Sequence, residues 1–513
     1  MSRPHQHETA QHAAGHPCPA CAPGSVLQQP LGRRTFARGL MASAGMAALA
    51  ACTQSAATGR STFGSIQSDV AQGAQAHPQV LAAFGGEYTE GGVQTYVRGL
   101  GAKLAEHSEF KNINYRWTVL NSPIVNALAL PGGFIYVTRG LMALAANEAE
   151  LAGVMGHELG HVTARHTAER QTQSIFAQLG LLALGIATGS NDLVNLASVG
   201  AQAYLQSYSR DQESEADTLG VRYMAESGWD PQAMATFLAS LREWSQLEAQ
   251  MAGRDPNSVD DFNMMASHPR TIDRVQDAIK AAGAQHVEGV LNREVYLKAI
   301  EGLRFGDDPS QGVVDGQYFR HPGLGFEFKV PDGFSVVNGE SQVTAQNASG
   351  AALVFDMDKA SASDAAEYLT YQWGEGVQWN DLQRITVNGM QGATGWTRMQ
   401  TQSGQADVRA VAIKGEGNQV FRFLFLVPAG NSRYNSAFQD TIYSFRRLSA
   451  SESAKIKGFR VYVITAGPND SVGTLAKGMP FGSYNERAFR VLNDLAGGGA
   501  LARGEWVKVV RPG

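Results

Sequence analysis

From about residue 64 to residue 300 the apolar positions recur mainly every three to four residues, the spacing of helices with one face in a core. Val93 to His107 carries that spacing, whereas Ile113 to Leu120 and Phe134 to Val137 read as strands. Asn147 followed by Glu148 and Glu150 predicts a helix start, because the Asn side chain can accept from a first-turn N–H and carboxylates suit the positive end of the helix dipole. Residues 175 to 205 include the apolar run IFAQLGLLALGIA, interrupted by Gln178 and Gly180 and too short to span a bilayer. A buried helical hairpin and a surface that meets a membrane or an unfolded client both fit this stretch. Beyond about 310 the period falls to two, in Phe326 to Val330, Ala352 to Phe355, Val408 to Ile413 and Val420 to Val427, with one helical stretch near Ser363 to Trp373. That mixture predicts an α+β domain. From 456 onward the order is strand (Val461 to Thr465), helix (Val472 to Lys477), helix (Glu486 to Asn493) and strand (Trp506 to Val510).

The expected architecture is multidomain: a mainly α domain with a small β-sheet over 64–305, an α+β domain over 310–450 and a small module over 456–513. A length of 513 residues exceeds what one ordinary core organises. Hydrophobic content of 43% and charged content of 17% are those of a globular protein, and a net charge of -5 gives no reason to expect nucleic-acid binding.

The N-terminus adds an address. Arg33-Arg34-Thr35-Phe36-Ala37-Arg38 precedes a short Ala-rich apolar segment over 39–51, the pattern of an export signal covering 1–51. The twin arginines suit the route named for them, and a long basic region also feeds the general route. Leu49-Ala50-Ala51-Cys52 resembles a bacterial lipobox, which makes Cys52 the candidate lipidation site and the small, polar residues 52–63 a lipidated tether. The alternative is an ordinary cleaved signal with a chance cysteine. Thr53 rather than Asp after that cysteine favours the outer membrane, so the expected location is the periplasm with a lipid anchor. His5, His7, His12, His16, Cys18 and Cys21 precede the cleavage point and would leave with the signal; no cysteine follows Cys52, so the rest folds without disulfides.

The candidate chemistry lies in the helix that Asn147 opens. His157 and His161 stand four residues apart and project from one helical face, so both can bind one Zn²⁺, and Glu158 between them can activate a water. A catalytic zinc needs a third protein ligand. Downstream, Glu213 and Asp217 also share a helical face, so Glu213 can reach the metal while Asp217 accepts a proton from a ligating imidazole. His166 falls on another face than His161 and reads as a structural or supporting residue, and Glu215 reads as a solvated carboxylate.

These strings, together with Asn126-Ala127-Leu-Ala-Leu-Pro131-Gly132-Gly133-Phe-Ile-Tyr-Val-Thr138-Arg139-Gly140-Leu141 and Ser267-His268-Pro269 with Arg274, resemble the CAAX prenyl protease and HtpX-type zinc endopeptidases over about 64–285. The periplasmic, outer-membrane-associated branch fits best. The resemblance implies a zincin-type domain holding one Zn²⁺ on His157, His161 and Glu213, with Glu158 as general base. His268 is a candidate oxyanion donor or a fourth ligand closing the site at rest, and Arg274 a candidate anchor for its segment. Phe134, Ile135, Tyr136 and Val137 are either an exposed edge strand that binds extended peptides or a buried strand after a tight turn. Unfolded or misassembled envelope proteins are the expected substrates; a chaperone with a latent zinc site is the alternative. Residues 456–513, with Arg490-Val-Leu-Asn493 and the Gly504 turn, loosely resemble a LysM module, which would add peptidoglycan as a partner.

Overall fold

The computed structural model describes residues 52–54 and 61–63 by their backbone, and 65–166, 208–251, 255–257, 272–281, 283, 288–339, 342–347, 349–401 and 404–513. The signal segment 1–51, the apolar stretch 175–205 and His268 lie outside the described residues. Within the expected tether, Cys52–Gln54 pairs antiparallel with Ser61–Phe63.

A three-stranded sheet forms the floor of the first domain. Strands β1 (Arg116–Leu120), β2 (Ala127–Leu130) and β3 (Phe134–Thr138) lie in the order β1-β3-β2, with β1 parallel and β2 antiparallel to β3. Pro131, Gly132 and Gly133 make the turn between β2 and β3, and both glycines take positive φ (77° and 93°), which glycine adopts without the Cβ penalty. Helix α1 (Ile66–Ala83) covers one sheet face, burying Ala76 and Val80 against Leu128, Leu130, Phe134 and Tyr136. Its Gly73 sits so close that a Cβ there would lie 2.2 Å from the Pro131 carbonyl oxygen.

On the other sheet face lie α2 (Val93–Ala105), the short α3 (Arg139–Leu144) and α4 (Glu148–Thr163). Every residue of α4 is buried, so its polar groups need partners inside the protein. Asn147 caps it, accepting from the Glu150 N–H at 2.9 Å. Glu148 accepts from Tyr96 Oη, Trp229 Nε1 and Asn292 Nδ2 at 2.7–2.8 Å. Glu150 accepts from the Ala146 N–H and Thr236 Oγ1, both at 2.8 Å, and burial pushes its carboxyl up to about 7.

Helix α5 (Arg210–Glu226), opened by a Ser209–Gln212 capping box, crosses α4 at a seam of small residues. A Cβ on Gly160 would lie 2.8 Å from the Ala216 oxygen, and one on Gly220 would lie 2.8 Å from the His157 nitrogen. No side chain separates the helices there, so residues on their facing sides can share one ion. Gly220→Val is therefore expected to force α5 away from α4, costing about 1–3 kcal/mol and weakening metal binding; denaturant unfolding and a chelator titration check both effects. Helices α6 (Ala233–Met251), α7 (Ile272–Ala281) and α8 (Arg293–Ile300) complete the bundle.

The α+β expectation for 310–450 corresponds to a seven-stranded sheet, antiparallel throughout, and a four-stranded sheet around a separate phenylalanine-rich core that includes Phe326, Phe328, Phe355, Phe421 and Phe423. The helical stretch near 363–373 is three α-helical residues, Ala365–Glu367, followed by a π-helix, Tyr368–Trp373. A further helix, Asn435–Ser444, buries Phe438 and Ile442 against this core.

The C-terminal segment has the predicted order, with Phe459–Thr465 antiparallel to Trp506–Pro512. It does not stand apart as an independent unit, however. Arg304–Phe305 joins its sheet as a third strand, and Val461, Phe489, Val507 and Val509 belong to the same buried cluster as Leu144, Tyr296, Leu297 and Ile300. Phe481 packs edge-on against Trp244 and Phe305. The expected boundary at 305 thus runs through a shared sheet, and 310–450 is an insertion between two parts of one core.

Candidate active site

The seam between α4 and α5 brings His157, His161 and Glu213 together. The two Nε2 atoms are 2.9 Å apart, and Glu213 lies 3.3 Å from His161 Nε2 through Oε1 and 3.7 Å from His157 Nε2 through Oε2. Ligand atoms about 2.0–2.1 Å from a tetrahedral zinc stand roughly 3.4 Å from one another, and these separations bracket that value. Two imidazoles and a carboxylate are also a common donor set for catalytic zinc, so the residues fit the ion. His157, Glu158, His161 and Glu213 are all 0% exposed.

Charged and polar neighbours orient these donors. His157 Nδ1 is 2.7 Å from Asp217 Oδ1, and because a carboxylate only accepts, the imidazole proton sits on Nδ1 and leaves the Nε2 lone pair for a metal. Arg274 donates from Nε to Asp217 Oδ2 at 2.7 Å and from Nη2 to Glu213 Oε2 at 3.1 Å. Arg274 therefore holds Glu213 and Asp217 of α5, a placement different from the expected anchoring of the His268 segment. Asp217→Asn keeps an acceptor for Nδ1–H but removes the charge. Zinc affinity should fall about tenfold or more, as read by competition with a chromophoric chelator.

Three placements depart from expectation. Phe134, Ile135, Tyr136 and Val137 are not an edge: β3 is the central strand, paired on both sides and buried. A pleated run buried on both faces reads the same at an edge as in the middle of a sheet, so periodicity alone leaves the two open. Glu215 is not a solvated carboxylate; its side chain is 15% exposed and stands 3.5 Å from His166 Nε2. His166 turns back to His161, with the two Nδ1 atoms 3.0 Å apart. Tyr208 was not singled out from sequence, yet its ring stacks on His161 with centroids 3.8 Å apart. An aromatic residue just before a helix cap carries no signal of such a contact.

A helix with histidines four residues apart, crossed by a second helix that supplies a glutamate, is the metal centre of a zincin-type peptidase. Residues 93–282 match Peptidase family M48, and this likeness supports a zinc metallopeptidase domain in that part of the chain. The chain is 31% identical over 213 residues to the beta-barrel assembly-enhancing protease of Escherichia coli (strain K12), covering 40% of this chain and 42% of that protein. It is 40% identical over 138 residues to the mitochondrial metalloendopeptidase OMA1 of Arabidopsis thaliana, covering 27% of this chain and 28% of the relative. The chain thus spans less than half the length of these curated relatives. Among solved structures, cyanobacterial PsbP from Synechocystis sp. PCC 6803 aligns with a TM-score of 0.21 at 14% identity, covering 28% of this chain and 98% of that one.

Proposed function

We propose that this chain is a zinc-dependent endopeptidase of the bacterial cell envelope that cleaves unfolded or misassembled proteins. The observation that carries the reading is the buried convergence of His157, His161 and Glu213 beside Glu158. Zinc held by those three residues would act as a Lewis acid toward a peptide carbonyl and the attacking water. Glu158 takes a proton from that water and returns it to the leaving amine. Asp217 and Arg274 keep His157 and Glu213 oriented through the cycle.

The substrate-docking strand in this reading is β2 rather than β3. The outer edge of β1 is occupied: the Gln94 side chain bonds the Trp117 carbonyl at 2.7 Å and the Val119 N–H at 2.8 Å, and the Tyr88 N–H bonds the Val119 carbonyl at 2.8 Å. Strand β2 is the other edge and packs against α4. An extended segment of an unfolded protein added there would be held through its main chain, with little sequence preference.

The complete burial of the zinc donors and of Glu158 favours a second aspect: the site is closed at rest, and a substrate or partner opens it. Envelope location rests on the export signal and the lipobox at Cys52; among the described residues no helix is long and apolar enough to cross a membrane. Purified chain incubated with casein tests the proposal. Cleavage that stops with a zinc chelator and returns with added zinc supports it, whereas cleavage unaffected by chelation contradicts it. A resting closed site further predicts weak wild-type cleavage that rises in His268→Ala.

A further inference from the structure

Where His157 turns its Nδ1 to a carboxylate, His161 turns its Nδ1 to another imidazole. Helix α4 ends at Ala164, and Arg165 takes a left-handed conformation with φ 59°, an unusual conformation for a residue other than glycine. A bidentate ion pair holds it: Arg165 donates from Nε and Nη2 to Asp69 of α1 at 2.8 and 3.0 Å, with both side chains buried. On a continued helix, His166 would face away from His161. The turn at Arg165 instead brings it back, 1% exposed, with its Nδ1 3.0 Å from His161 Nδ1 and the ring centroids 5.1 Å apart. Its far nitrogen, Nε2, faces Glu215 Oε2 at 3.5 Å.

We propose that His166 is a positioning residue that fixes the tautomer and ring orientation of His161, with Glu215 steadying His166 from behind. The protons run in one consistent direction. His161 carries its proton on Nδ1 and donates it to the His166 Nδ1 lone pair, which leaves His161 Nε2 bare toward the metal. His166 then carries its own proton on Nε2, directed at Glu215. Helix α5 thereby supplies three carboxylates around the donor set: Glu213 as a zinc donor, Asp217 behind His157, and Glu215 behind His161 through the intervening ring. The arrangement also gives α1 a role at the site, since Asp69 holds the backbone turn on which the placement of His166 depends. This inference rests on the zinc reading.

The test is zinc affinity of the full-length protein, read by competition with a chromophoric chelator, together with the visible spectrum of the cobalt-substituted protein. His166→Phe keeps a ring but removes the acceptor; a loss of roughly 10-fold or more in affinity and a shifted cobalt spectrum are expected. His166→Asn places an amide oxygen near the position of Nδ1 and should recover most of the affinity. Glu215→Gln should weaken binding less than His166→Phe. Unchanged affinity and spectrum in His166→Phe, or an equal loss in His166→Asn and His166→Phe, overturns the proposal. Should His166→Phe fail to fold, His166→Asn against His166→Ala decides in the same way. A wild type that binds no zinc would instead remove the zinc reading itself.

Discussion

Glu158→Gln is expected to retain zinc and to lose about a hundredfold to ten-thousandfold in peptide-bond cleavage, the range over which general acid–base catalysis contributes. Glutamine has the same length and shape, so it fits the fully buried space that Glu158 occupies without opening a cavity. Among the described residues the group that could hold a metal is His157, His161 and Glu213, which the substitution leaves in place, so the ion is expected to stay. What disappears is a carboxylate able to take a proton from water and return it to the amine. Casein cleavage measured beside metal content separates the two effects. A zinc-loaded variant that cleaves at the wild-type rate would remove Glu158 from the mechanism.

Ending the chain after Lys455 should abolish the folded peptidase domain, with loss of zinc binding and of a cooperative unfolding transition. Val461, Phe489, Val491, Leu492, Val507, Val509 and Val510 are each 2% exposed or less and lie in the cluster that packs α3 and α8. Full burial of one such side chain stabilises by about 1.5–3 kcal/mol, so their combined loss matches or exceeds the ~5–15 kcal/mol by which a domain is stable. Lys508 makes the dependence specific. It is 0% exposed, and Nζ donates to the carbonyls of Ala143, Leu144 and Ala145 at 2.8, 3.0 and 2.6 Å, closing the C-terminal end of α3 immediately before Asn147 caps α4. Burial pushes its pKa well below the usual lysine range, while the three carbonyls engage three donors of the ammonium. Lys508→Met leaves those carbonyls without donors and should cost about 2–4 kcal/mol, after allowance for relief of a buried charge, as read by denaturant unfolding. A detachable wall-binding module predicts the opposite: the chain ending at Lys455 would fold and keep its zinc.

The grouping of the candidate site was legible because its pattern is local. Two histidines at helical spacing, the glutamate between them and the Glu213–Asp217 pair announce their shared faces through the period of the helix alone. The seam that lets α5 approach α4 was written in Gly156, Gly160 and Gly220, but which glycines face each other depends on the crossing of two helices. The rank of β3 in its sheet was not legible, since strand order is a matter of pairing partners far apart in sequence. The shared core of 456–513 was hidden for the same reason: Lys508 meets Ala143 across more than three hundred residues of chain. His166 escaped a helical reading because its direction is set by a left-handed Arg165, which an ion pair to Asp69 sustains. In the inserted domain the helix Asn435–Ser444 shows only Phe438 and Ile442 as spaced apolar residues, too few to stand out among the strands.

The central claim is that three side chains from two helices hold one catalytic zinc. Zinc stoichiometry of the purified wild type beside Glu213→Ala tests it most directly. One zinc per chain in the wild type and a loss of most of it in Glu213→Ala is the predicted result; a wild type without zinc, or a Glu213→Ala protein that keeps a full equivalent as tightly, would contradict it.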